Sequence, residues 1–111
     1  MITFAYENIL NLQVDAIVNP AHTSLFAGSG LCGIIHRYAG RELETYCRTL
    51  GTKNYGDVVI TPSFKLPNCK KVIHACGPRW IDENQNEEAT LETLYTRIIV
   101  LRAQEEITSI A

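Results

Sequence analysis

Residues 14–33, VDAIVNPAHTSLFAGSGLCG, constrain the fold of this chain more than any other stretch. An apolar run over 16–18 closes on Asn19-Pro20, and a loop of small residues follows. Gly28-Ser29-Gly30-Leu31-Cys32-Gly33 then opens a helical pattern that Ile34, Ile35 and Tyr38 continue. A strand that delivers a glycine-rich loop to a helix N-terminus gathers unpaired backbone N–H groups around one point. The positive end of the helix dipole sits at the same place, and the combination binds phosphate. The chain therefore reads first as a phosphate-ligand domain.

The rest of the chain supplies the layers around that loop. Strands read at residues 2–6, 14–19, 57–61 and 71–75, and helices at 30–38, 42–50 and 87–106. Residues 14–19 are apolar on both faces, as an inner strand requires. Pro20 has no N–H for a ladder and ends it. Gly40 and Gly51 stop the first two helices. The turn-rich PSFKLPN separates the last two strands, and Gly77-Pro78 ends the second of them. The polar run 82–88 reads as solvated and leads into the longest helix, with Leu91, Leu94, Ile98 and Leu101 at helical spacing. Residues 108–111, TSIA, open a further strand. Strands alternating with helices predict an α/β sheet covered on both faces, and 111 residues make one domain, 1–111.

Composition narrows the partners. The net charge is −2, from 10 basic and 12 acidic residues, with no basic stripe interleaved with aromatics. Binding to duplex or single-stranded nucleic acid by counterion release is not expected. A small anion needs no net positive charge, because backbone amides can hold it. The longest apolar stretch, around 98–101, is too short to span a membrane. The four cysteines show no C-x-x-C spacing and the chain opens on no signal peptide, so reduced thiols and a cytoplasmic location are expected. Histidine and cysteine spacing gives no zinc set, and neither metal nor cofactor is expected.

Residues 28–33 formally match G-x-G-x-x-G, but a dinucleotide fingerprint is a poor fit. The first glycine lies ten residues after Val18, and no strand ends in an acidic residue about twenty residues later. The G-K-[ST] of a P-loop is also missing. A plain flexible loop with turn-forming glycines is the other reading.

A wider pattern resolves more. VDAIVNPAHTSLFAGSGLCGIIHRYAG, GDVVITPSFKLP and KKVIHACGPRW follow in the order and spacing of the macrodomain (ADP-ribose-1″-phosphate processing) family, which this chain resembles over nearly its whole length. The resemblance implies a three-layer α/β/α fold with a mixed central sheet. It implies ADP-ribose or an ADP-ribosylated macromolecule as partner, with the glycine loop wrapped around the diphosphate and the distal ribose. The amides of Gly28, Ser29, Gly30, Leu31, Cys32 and Gly33 would face phosphate.

Three positions depart from the family pattern. The G-D-I-T aspartate that meets adenine is replaced within Glu7-Asn8-Ile9-Leu10, placing Asn8, with Ile9, at the base. An amide oxygen still accepts a hydrogen bond but brings no charge; a simple turn role for Asn8 is the alternative. The N-A-A-N of the hydrolytic branch reads Asn19-Pro20-Ala21-His22, and the aspartate of G-G-G-G-V-D-G is Cys32. Asn19, His22 and Cys32 are therefore the candidate catalytic residues at the distal ribose. A thiol replaces a carboxylate poorly as base or acceptor, so the usual hydrolysis should be weak or absent. A Cys32–His22 dyad is a second reading, since a helix N-terminus can lower a thiol pKa from about 8.5 to ~3.5–7.5; packing roles for both residues are the plainer one. His36 and His74 read as structural histidines.

The family continues from a strand like TSIA into a second glycine loop over the diphosphate, so the chain is expected to be a C-terminally truncated macrodomain. Losing that loop would remove two or three charge-assisted hydrogen bonds of ~1.5–3 kcal/mol each, on the order of a thousandfold in affinity. An unpaired sheet edge would also invite self-association. Three functions stay open: an ADP-ribose-binding module, first among them; an ADP-ribosyl hydrolase or ADP-ribose-1″-phosphate phosphatase; and a non-functional remnant or half-domain completed by another chain.

Overall fold

The computed structural model describes residues 4–77 and 87–111, the side chains of residues 87 and 88 excepted. Its elements run β1 (Ala16–Pro20), α1 (Gly30–Ala39), α2 (Arg41–Leu50), β2 (Val58–Pro62), β3 (Lys71–Ala75) and α3 (Glu87–Gln104). The sheet order is β1-β3-β2, with β3 parallel to β1 and antiparallel to β2. Residues 109–111 line the other flank of β1 in parallel. Val18 N–H donates to the Ala111 carbonyl at 2.7 Å, and Ala111 N–H donates to the Ala16 carbonyl at 3.0 Å. The sheet is mixed, as expected.

Side-chain alternation along the strands builds the layers. On one face Ile17 and Val72 join Ile35 and Ala39 of α1 and Leu43 and Cys47 of α2 in a buried cluster. On the other, Ala16 and Ile73 pack with Ile107, Ile98, Leu101 and Ile110. Each fully buried aliphatic side chain contributes about 1.5–3 kcal/mol relative to exposure. The result is the α/β/α sandwich. Gly40, at φ +93°, ends α1 with its N–H on the His36 carbonyl (3.0 Å) and lets α2 start at once in a new direction.

The last strand position is fixed by one carboxylate. Asp15 Oδ2 accepts from Thr108 N–H at 2.9 Å, the Thr108 hydroxyl at 2.7 Å and Ser109 N–H at 3.3 Å. Asp15 N–H donates back to Ser109 Oγ at 2.8 Å. The Thr108 hydroxyl, followed by its N–H, holds the Asp15 carboxyl below its ordinary pKa.

Some expected elements differ. Of the strand expected at 2–6, residues 2 and 3 lie outside the described residues, and Phe4 and Tyr6 are fully exposed without strand structure. A strand needs a ladder partner, and both flanks of β1 are already taken. The long helix stops at Gln104 rather than 106. Glu106 turns the chain at φ +55° and Ile107 dives into the core. The Pro78 strand stop and most of the polar run at 82–88 lie outside the described residues. No described helix is long and apolar enough to cross a membrane.

Candidate functional site

The glycine loop is shaped by backbone geometry that most residues cannot adopt. Pro20 offers no donor, so Ala21 N–H carries the ladder onward to the Ala75 carbonyl at 3.0 Å. Leu25 holds φ +59°, a left-handed conformation that costs a non-glycine residue about 1–2 kcal/mol. Its side chain is 1% exposed and packs in the cluster of Ile17 and Ile35, which offsets that cost. Gly28 and Gly30 follow at φ +62° each. A Cβ on Gly33 would stand 2.8 Å from the Gly28 carbonyl oxygen, so α1 and the loop touch where a side chain would lie. Ser29 N-caps α1 without a side-chain hydrogen bond, and no acidic residue stands in the first turn. The first amides of α1 and its positive dipole end therefore suit an anion.

His22 stands beside this loop. Its ring stacks on Phe26 with centroids 4.6 Å apart and planes 13° from parallel. It also covers Gly28, whose missing Cβ would fall 2.5 Å from His22 Nε2. The ring borders a cleft of about 660 Å³ whose walls also include Phe26, Thr23, Ser24, Tyr55 and Gly77. Lys53 N–H donates to the Thr23 carbonyl at 2.6 Å and ties the Tyr55 and His22 segments together.

Beneath the loop lies a buried polar chain. Asn19 and His74, opposite one another in the β1–β3 register, are both fully buried. Asn19 Nδ2 donates to Cys32 Sγ at 3.6 Å and lies 3.0 Å from His74 Nδ1. Thr61 Oγ1 donates to the Pro62 carbonyl and lies 2.9 Å from His74 Nε2. The network thus assigns the His74 proton to Nε2, with Nδ1 accepting from Asn19. Burial, then the nearby His36, pushes the His74 pKa down to about 4, so the ring is neutral at pH 7. Asn19 Oδ1 is left buried without a hydrogen-bond partner among the described residues.

The expected site residues separate into two levels. Asn19 and Cys32 meet below the loop, while His22 lies above it on Phe26. The Cys32 thiol is 3% exposed, meets Asn19 Nδ2 and the His22 main chain, and donates to the Phe26 carbonyl at 3.8 Å. Burial pushes its pKa up, against the smaller opposing pull of the Asn19 and His22 donors. A protonated, buried thiol has little nucleophilic character. Asn8 is exposed and caps the short 3₁₀ turn Ile9–Asn11, its side chain accepting from Leu10 N–H at 3.0 Å. Buried Asn68 anchors that turn by donating to the carbonyls of Ile9 (3.1 Å) and Leu12 (2.9 Å).

Three donors that spacing could not connect also come together. His36 of α1, Cys47 of α2 and His74 of β3 are buried with ligating atoms within 4.8 Å of one another. Both His74 nitrogens are already engaged, which leaves His36 and Cys47, fewer donors than a zinc site uses. Asn68 and Thr61 were equally hidden in the sequence, since each acts through a residue distant in the chain, and Tyr55 because it meets the His22 loop only in the fold; Phe26, four residues from His22, could have been found from its spacing. Only register, once β1 and β3 are paired, would have pointed from Asn19 to His74.

The Macro domain family model matches residues 18–111. A Macro domain-containing protein of Mesorhizobium japonicum is 43% identical over 104 residues, covering 94% of this chain and 58% of that protein. The O-acetyl-ADP-ribose deacetylase of Salmonella typhimurium is 41% identical over 108 residues, covering 94% and 60%. A single-residue variant of the Oceanobacillus iheyensis macrodomain, solved with ADPR, superposes with a TM-score of 0.87 at 32% identity, covering 94% and 59%. The chain thus spans about three fifths of the length of the relatives it matches.

Proposed function

The chain belongs to the Macro domain family, and on that premise we propose that it binds ADP-ribose, with the diphosphate on the amides of residues 28–32; Gly33 N–H, expected to join them, already donates to the Ser29 carbonyl at 3.1 Å. The observation that carries this reading is the loop itself. Gly28 and Gly30 hold φ +62°, Gly33 has no room for a side chain, and no Ser29 side-chain hydrogen bond caps the α1 N-terminus, which leaves its first amides to an anion. Each amide–phosphate hydrogen bond there is worth ~1.5–3 kcal/mol. His22 abuts the loop and is the proposed neighbour of the distal ribose; Asn8 and Ile9 are the proposed neighbours of adenine. The reading is also supported by the ADPR-bound neighbour. Calorimetric titration with ADP-ribose tests it: a saturable 1:1 heat supports it, and no heat at millimolar ligand overturns it.

A second reading, ester hydrolysis on an ADP-ribose derivative, is favoured by the likeness to the Salmonella deacetylase. Water would add to the acyl carbon and the ribose oxygen would leave with a proton. No carboxylate is among the described residues around the cleft, and the Cys32 thiol is protonated and committed to Phe26. Turnover without either group should be slow. Incubation with O-acetyl-ADP-ribose decides, and activity that survives Cys32→Ala excludes the thiol as the reacting group.

A further inference from the structure

We propose that the cleft beyond the glycine loop is a subsite for a planar heteroaromatic ring carried on the distal ribose of the ligand, read by Phe26, His22 and Tyr55. The proposal rests on the ADP-ribose reading and names what that ligand carries.

Three ring systems border this one cleft, and two of them are left about half exposed. Phe26 is 49% and Tyr55 54% exposed. Singly exposed rings are ordinary, but rings that share a concave wall mark a place where apolar area waits for a partner. The His22–Phe26 stack, at 4.6 Å and 13°, fixes the planes of two of the rings before any ligand arrives. The His22 ring lies against Gly28, so a ligand whose diphosphate sits on the loop reaches His22 next, and the ADP-ribose reading puts the distal ribose there. His22 also lines the cleft, so a group on that sugar would stand at its mouth. The cleft's volume of about 660 Å³ exceeds what a sugar alone fills.

The chemistry favours a flat ring over an amino-acid side chain. Every heteroaromatic base has a π-face, and stacking on an aromatic side chain is sequence-tolerant and favourable. The hydroxyls of Thr23 and Ser24 stand in the same wall and can pair with a hydrogen-bonding ring edge. Preorganisation adds to this. The Lys53–Thr23 main-chain bond at 2.6 Å and the Gly56 N–H to Cys76 carbonyl bond at 2.8 Å hold the Tyr55 loop in place against β3 and the His22 loop.

A pyridine carboxamide and a nucleobase share this chemistry, so the test has two arms. Wild-type protein is titrated with ADP-ribose, with NAD⁺, with ADP-ribose linked to a nucleobase of a short oligonucleotide, and with an ADP-ribosylated glutamyl peptide. At least one planar arm should bind about tenfold more tightly than ADP-ribose. Tyr55→Leu should remove most of that gain and leave ADP-ribose within about twofold, because it keeps an apolar wall without the π-face; Phe26→Leu, which also unstacks His22, should remove the gain and weaken ADP-ribose as well. NAD⁺ leading identifies a free dinucleotide ligand, and the oligonucleotide leading identifies a nucleic-acid adduct. Planar arms no tighter than ADP-ribose, a gain that survives both substitutions, or preference for the peptide each overturn the proposal. If ADP-ribose itself gives no heat at millimolar concentration, the underlying reading has failed and the subsite falls with it.

Discussion

Gly33→Ala probes the closeness of α1 to the glycine loop. The added Cβ would lie 2.8 Å from the Gly28 carbonyl oxygen and 3.4 Å from its carbon. Both are main-chain atoms, so no side-chain rotation relieves the clash. Restoring ordinary contact requires loop and helix to part by roughly half an ångström. Overpacking of this kind costs about 1–3 kcal/mol. Alanine in a helix interior regains about 1 kcal/mol over glycine, leaving a net destabilisation of about 0–2 kcal/mol. Affinity should suffer more than stability. Pulling a single amide out of reach of phosphate removes ~1.5–3 kcal/mol, between about tenfold and 150-fold in Kd. Urea melts measure the first quantity and calorimetric titration with ADP-ribose the second. A folded variant that binds with wild-type affinity would refute the assignment of these amides to the ligand.

Three further outcomes follow from the buried chain and the Asp15 clamp. The folded pKa of His74, about 4, lies below the ordinary 6.5, so the unfolded chain takes up the proton first as pH falls. Stability is therefore full above pH 6.5 and declines by about 3 kcal/mol between 6.5 and 4; urea melts across that range check it, and an undiminished slope in His74→Gln counts against it. Thr61→Val removes the acceptor 2.9 Å from His74 Nε2, leaving a buried N–H unpaired at about 1–3 kcal/mol, again read by urea melts. Asp15→Ala releases Thr108 and Ser109, and amide exchange at Val18 and Ala111 should quicken at neutral pH. In the wild type the same loosening should set in only as pH falls through the depressed Asp15 pKa, since the carboxylate's contribution is complete above its unfolded value.

Most of the scaffold was legible because its signals are local. Apolar runs bounded by Pro20, Gly40 and Gly51 placed β1, α1 and α2 to within a residue or two, and 71–75 coincides with β3. The strand expected at 2–6 misled because alternation says nothing about whether a neighbouring strand is free to pair. The end of α3 was misplaced because Glu106 adopts a left-handed turn that only the burial of Ile107 justifies. The glycine loop and the helix that follows it were readable from their spacing. What decides the loop's chemistry was not: the inward turn of Asn19 depends on a histidine 55 residues away. The state of Cys32 is equally opaque in sequence, since a helix N-terminus lowers a thiol pKa only where the thiol is not also buried.

The pairing of β1 dictates an order of assembly. Its two neighbours arrive 55 residues later, as at Asn19 and His74, and 94 residues later, as at Asp15 and Ser109. Parallel strands cannot form a hairpin and must close long loops, the slow part of folding. At ~5–20 residues per second, synthesis leaves roughly 3–10 seconds between β1 and its first partner. During that interval Ala16, Ile17 and Val18 are an apolar strand with two open edges, a target for chaperones and for other nascent chains. Antiparallel β2 and β3 can pair with each other as soon as both are made. The loop at the end of β1 takes shape only when that hairpin docks, so the glycine loop cannot be set before residue 75 has been made.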